Sequence, residues 1–174
     1  MRAYKRSYES SLAREEILDS YEAELAPLEI GEVGFGWAHA SDFSEEAVAA
    51  INRDYSRTAS RVMDFPTDLE FVMAVHDPIV FEYRRSHVLF HDASEWAGDG
   101  AVVASHFAAY SDREGRDMIE ALASLSRPIV FAVTERIAHM LSRLGFHDTG
   151  RRVPQFWRGE IHEKWILVNP ACGL

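Results

Sequence analysis

The stretch Val130-Phe131-Ala132-Val133-Thr134-Glu135-Arg136-Ile137-Ala138-His139-Met140-Leu141-Ser142-Arg143-Leu144-Gly145-Phe146 decides how the chain reads. With Pro128 and Ile129 in front, it opens on a short apolar run, as expected of a strand covered on both faces. Arg136 to Leu144 follows as a helix, and Gly145 supplies the left-handed residue that ends it. A buried strand feeding a helix that stops on glycine is the unit from which an α/β sheet is wound.

Downstream, residues 150–157 and 161–168 read as two strands joined by an Arg158-Gly159-Glu160 turn. Upstream, Glu114 to Leu125 reads as a helix with Met118, Ile119, Leu122 and Leu125 on one side. Before it, Phe71–Val75, Ile79–Tyr83, Val88–Phe90 and Ala101–Ala104 read as successive antiparallel strands, with His76-Asp77-Pro78 and Gly98-Asp99-Gly100 as turns. Ser41-Asp42-Phe43-Ser44-Glu45-Glu46 is a helix start, a polar cap followed by acids in the first turn. That helix runs through Ile51 and Tyr55 to a break at Asp64-Phe65-Pro66. Residues 1–31 read as a helical extension: Leu12, Ile17, Leu18, Tyr21 and Leu25 recur near helical spacing, and Pro27 and Gly31 close the element. The whole is a single mixed α/β (α+β) domain, a mostly antiparallel sheet flanked by helices.

The order of elements across residues 101–168, with Val130–Phe146 as its centre, resembles the second half of the GNAT N-acetyltransferase superfamily. The resemblance implies a GNAT-like fold and a coenzyme A thioester, acetyl-CoA or another acyl-CoA, as cosubstrate, with residues 101–168 as the cofactor-binding half. It also implies that Ser111–Asp117 is the pyrophosphate loop. Backbone N–H groups at a helix N-terminus favour an anion there, and Arg113 and Arg116 add charge-assisted contacts. Phe107, Ala109, Gly115 and Thr134 complete the implied cofactor-binding set. The family pattern Q/R-x-x-G-x-G/A puts Asp112 and Asp117 beside Gly115, while the family's Asn and Tyr positions hold Thr134 and Leu141. Its base sits on the strand entering that loop, which here ends Ser105-His106-Phe107-Ala108-Ala109-Tyr110. His106 is therefore the candidate base and Tyr110 the candidate proton donor, with Glu114 as a further acid/base candidate.

Composition narrows the partners. The 174 residues carry a net charge of -10, and the charge is uneven. Residues 1–36 hold 4 basic and 8 acidic side chains, residues 37–100 hold 5 and 12, and residues 101–174 hold 9 and 8. All net acidity lies in the first hundred residues, which argues against a nucleic-acid partner. It favours a cationic acceptor, an amine or a basic protein patch, attracted by a field that salt weakens. No run approaches the ~20 apolar residues of a membrane span, and no signal-peptide h-region is present, so the expected setting is the cytoplasm, with no membrane partner. The single cysteine, Cys172, reads as part of a frayed terminus.

Other constellations read as structural. His87 and His91 lie too far apart along a strand to share an ion, so no metal is expected. His39, His76 and His147, each near an aspartate, read as turn residues. Trp165 reads as core-facing in the last strand, and Trp96 as a loop residue at a binding surface. No Gly-x-Ser-x-Gly elbow or Walker loop is present. Two functions follow: transfer of an acyl group from coenzyme A to an amine, or a silent GNAT-like scaffold that binds a protein. Divergent phage proteins acting on a host protein or in the virion offer an analogy for the second.

Overall fold

The computed structural model describes residues 35–62, 68–157 and 159–173. The proposed N-terminal extension, the Asp64-Phe65-Pro66 break and Arg158 lie outside them. The described strands are β1 (Phe35–His39), β2 (Ile79–Tyr83), β3 (Ser86–Asp92), β4 (Val102–Ala108), β5 (Ile129–Val133), β6 (His147–Trp157) and β7 (Glu160–Val168). The helices are α1 (Glu45–Val62), α2 (Leu69–His76), α3 (Asp112–Ala123) and α4 (Glu135–Arg143), with single turns at Ala40–Asp42 and Ser94–Ala97. The strands follow the order β1-β2-β3-β4-β5-β7-β6 in a mostly antiparallel sheet. The chain divides into two compact units, residues through Phe90 with His106–Gly115, and His91–Ser105 with Arg116 onward. Among the described residues no helix is long and apolar enough to cross a membrane.

In the first unit, β1, β2 and β3 form an antiparallel meander, Trp37 opposite Phe81 and Phe81 opposite Val88. Buried Trp37 packs its ring on Phe81 and Phe90. Helix α1 starts where the sequence expects, with Ser44 as its cap: Ser44 Oγ accepts the Ala47 N–H and its carbonyl the Val48 N–H. Ile51, Tyr55 and Ala59 of α1 form a core with Leu69, Val72 and Met73, over Val80, Leu89 and Ala108.

Those middle three residues belong to α2, which corrects the expected strand Phe71–Val75. Asp68 caps the helix, accepting from the Glu70 and Phe71 N–H groups, while Asn52 Oδ1 accepts the Leu69 N–H. Leu69, Val72 and Met73 then fall on one face at helical spacing and are buried, leaving Phe71 59% exposed. In so short an apolar run the cap and the α1 surface decide the conformation. Asp77 ends α2 in the left-handed region at φ 45° and accepts the Ser41 N–H.

In the second unit, β4 and β5 run parallel over three pairs, Val102–Ile129 to Ala104–Phe131, and β5 continues antiparallel to β7. Ile129 and Val130 are fully buried, as the apolar run requires. Gly145, at φ 104°, follows α4, and Phe146 packs edge-on against Phe131. Trp96 sits in the Ser94–Ala97 turn rather than in a loop. Trp165 is half-buried rather than in the core: Arg152, opposite it across the hairpin, lies 3.8 Å over its ring, and His139 approaches edge-on. Cys172 is not frayed. It is buried, its N–H bonded to the Asn169 carbonyl and its Sγ 3.9 Å from the Ala97 carbonyl.

Asn169 is the polar pin of this unit. It is fully buried; its Oδ1 accepts the Ile129 N–H at 2.9 Å, and its Nδ2 donates to the carbonyls of Leu125 and Arg127. Asn169→Ala should lower unfolding stability by about 3 kcal/mol, because three backbone groups lose their partner together; urea unfolding measures it. A second expectation concerns the hairpin. Hydrogen bonds from Arg152, helped by the Gly150 N–H, hold the Asp148 carboxyl below its ordinary value. A depressed carboxyl stabilises the fold above the unfolded-state value of about 3.9 and loses that contribution as pH falls through the folded value. Urea midpoints should therefore fall more between pH 5 and pH 2 for the wild type than for Asp148→Asn.

Candidate functional site

The turn Ala109-Tyr110-Ser111 carries β4 into α3. Ser111 caps the helix: its carbonyl accepts the Gly115 N–H at 2.9 Å and its Oγ the Glu114 N–H at 3.2 Å. The helix therefore begins at Asp112, and the expected loop Ser111–Asp117 is helical from its second residue. A serine cap followed by Asp112 and Glu114 in the first turn suits a helix start better than a loop. Three donors remain at its mouth: the N–H groups of Ser111, Asp112 and Arg113 have no hydrogen-bond partner among the described residues. Together with the helix dipole, they form a helix N-terminus suited to an anion.

Side chains from distant parts of the sequence hold this turn. Arg57 of α1 donates to the carbonyls of Ala109, at 2.9 Å, and Tyr110. Thr58 Oγ1 accepts the Ala109 N–H at 3.1 Å. Arg61, one turn further along α1, pairs with Asp112, both side chains well exposed. From the start of β3, Ser86 Oγ accepts the Tyr110 N–H at 3.0 Å and donates to Glu114 Oε1 at 3.0 Å. Glu114 Oε1 also accepts the Arg85 N–H at 2.7 Å. Ser86 and Glu114 are both buried.

The expected site residues distribute as follows. Phe107, Ala109, Tyr110, Arg113 and Gly115 gather at the turn with Glu114, whose carboxylate is occupied in joining two segments. His106 lies half-buried on β4, its ring edge-on to Tyr55 at 5.3 Å between centroids. Tyr110 is exposed, with the Arg85 guanidinium 3.5 Å from its ring centre. Arg113 and Arg116 are exposed on α3, three residues apart. Thr134, in the other unit, is the N-cap of α4, its carbonyl accepting the Ala138 N–H. Leu141, also there, is fully buried in the core. His87 pairs through Nε2 with Glu82 at 3.0 Å and meets the Phe43 ring. Among the described residues, no three metal-ligating side chains converge.

Arg57, Thr58, Arg61, Arg85 and Ser86 were not anticipated as site residues. Arg57 and Arg61 stand at i and i+4 on the expected first long helix, so one face was readable. Their destination, a turn some fifty residues away, was not.

No protein-family model matches the chain, and no curated protein matches it. Solved structures do. An acyl-CoA N-acyltransferase from Pseudomonas aeruginosa aligns at 13% identity with a TM-score of 0.50, covering 76% of this chain and 98% of its own. The yncA protein of Salmonella typhimurium, solved with its cofactor acetyl-CoA, aligns at 16% identity with a TM-score of 0.49, covering 82% and 96%. The first similarity, together with the strand order, shows a GNAT-like fold.

Gly115 is needed for packing at the turn. A Cβ there would lie 2.9 Å from Ala109 Cβ and 3.3 Å from Phe107 Cε1. Alanine for glycine in an open helix interior gains about 1 kcal/mol, but a methyl forced against the end of β4 costs about 1–3 kcal/mol. Gly115→Ala should therefore lower the melting temperature, whereas a freely exposed helical glycine would give a rise.

Proposed function

We propose that the protein is an acyl-CoA-dependent N-acyltransferase acting on a cationic amine. The observation that carries this reading is the cluster of uncommitted N–H groups at Ser111, Asp112 and Arg113, at the start of α3 in a GNAT-like fold. There they would take the diphosphate of a coenzyme A thioester, with the Arg113 and Arg116 side chains adding charge-assisted hydrogen bonds. Phe107, Ala109 and Gly115 shape the approach to that turn, and Thr134 opens α4 at the end of β5.

The thioester supplies an acyl group activated towards attack. What the chain must add is a proton acceptor for the ammonium, a donor for the leaving thiolate and correct placement. His106 serves as the acceptor and water as the donor to the leaving thiolate, while Glu114 acts by holding the turn and Tyr110 by carrying the Arg85 guanidinium beside it. The acidic first hundred residues favour an acceptor of positive charge, either a small amine or a basic patch on a protein.

A second reading, a GNAT-like scaffold that binds a protein without turnover, is favoured by one observation. The residue at the family's tyrosine position, Leu141, is part of the core and offers no proton. Titration calorimetry with acetyl-CoA separates the two. The enzyme reading expects a measurable affinity that weakens about tenfold in Arg113→Gln; no heat up to millimolar concentration favours the scaffold. With binding established, thiol release from acetyl-CoA in the presence of a panel of primary amines should fall about 10²-fold in His106→Ala. An unchanged rate would remove His106 from the mechanism.

A further inference from the structure

Arg85 is a guanidinium prepared for an anion that the described residues do not supply. It is exposed and makes no ion pair with a described carboxylate. Its plane-forming group nevertheless lies 3.5 Å from the centre of the Tyr110 ring, while its own N–H is fixed at 2.7 Å to the buried Glu114. The next residue, Ser86, bonds both Glu114 and the Tyr110 N–H, so ring and guanidinium are anchored to the same buried carboxylate. The turn that presents Arg85 is tight, with Arg84 in the left-handed region at φ 56°. Stacking on an aromatic face leaves a guanidinium's in-plane N–H donors free, in the fork geometry that suits a phosphate.

The neighbouring arginines are already used. Arg57 is committed to Asp54 and to the carbonyls of Ala109 and Tyr110, and Arg61 to Asp112. Arg113 belongs to the mouth of α3. Arg85 stands beside that mouth and is attached to it through Glu114, in the same helical turn as Asp112 and Arg113.

We propose that Arg85, held on Tyr110, recognises a phosphate monoester on the ligand, so that the site selects a 3′-phosphorylated coenzyme over its dephosphorylated form. This rests on the acyl-CoA reading above. The diphosphate is common to both forms of the coenzyme and falls to α3. The monoester, present in one form alone, falls to Arg85, where two parallel N–H donors can meet two phosphate oxygens.

Coenzyme A and 3′-dephospho-coenzyme A, titrated separately into the full chain and its variants by calorimetry, test this. The wild type should bind coenzyme A about tenfold or more tightly than the dephospho form. Arg85→Gln should erase that preference by weakening coenzyme A alone. Arg84→Gln, which removes the same charge from the adjacent residue, should keep it, separating a contact from general electrostatics. Arg113→Gln should weaken both ligands by a similar factor. Thermal melts of the variants check that the turn still folds, since each retains its backbone N–H. Equal affinity of the wild type for the two ligands, or a preference that survives Arg85→Gln, overturns the inference and leaves the acyl-CoA reading standing. Failure of both ligands to bind overturns the two together.

Discussion

Ser86 Oγ lies between two groups that would otherwise be stranded. It accepts the Tyr110 N–H and donates to Glu114, whose carboxylate also takes the Arg85 N–H. A buried carboxylate without donors is costly, and so is a buried hydroxyl with nothing to bond. Each group therefore requires the others to be in place, and together they fix the β2–β3 turn against the first turn of α3. The arrangement of Arg85 and Tyr110 follows from that connection. It places Tyr110 beneath Arg85, and it occupies the one acidic side chain buried at the helix start. It also leaves the helix mouth itself, at Ser111, Asp112 and Arg113, with donors to spare.

The charge count along the chain is accurate but says little about local potential. Residues 37–100 hold 5 basic side chains against 12 acidic ones. Three of those five, Arg57, Arg61 and Arg85, nevertheless converge on the turn between Ala109 and Asp112. An acidic segment thus donates its arginines to the place where an anion is expected, and one of its acids, Asp54, accompanies Arg57 there. The proposed attraction of a cation over long range and the proposed binding of an anion at contact range are compatible, because salt and distance attenuate the first far more than the second.

Much of the fold was readable because its elements carry strong local signals. The apolar 128–133 run, Gly145 after α4, Ser44 before α1 and the final hairpin each declare themselves within a few residues. Misreadings arose where a distant neighbour decided the outcome. Phe71–Val75 has the composition of a strand, and Asn52 and Asp68 turn it into a helix whose apolar face meets α1. Cys172 looks like loose terminal sequence until Asn169, forty residues on from the β5 backbone it bonds, ties the segment down. The site divides along the same line. His106, Tyr110, Arg113 and Gly115 lie within ten residues of one another and could be nominated together, whereas Arg57, Arg61 and Arg85 depend on tertiary placement that no periodicity encodes.

Asp112 gives the most informative departure from the loop pattern that the sequence resembles. A carboxylate at the first residue of α3 would oppose any anion brought to the helix mouth, yet it also stabilises the helix start through the dipole. Arg61 resolves the conflict by drawing that carboxylate towards α1, so its charge is balanced beside the mouth rather than presented to it. An exposed pair of this kind contributes little to stability. Its value lies in orientation: the backbone N–H of Asp112 stays available while its side chain is kept engaged. The same division recurs at Arg57, whose guanidinium takes the two carbonyls of the turn and so leaves the N–H groups as the exposed polar edge. From one face of α1, Arg57 thus covers the carbonyls of this turn and Arg61 the Asp112 carboxylate, so both kinds of acceptor at the start of α3 are engaged.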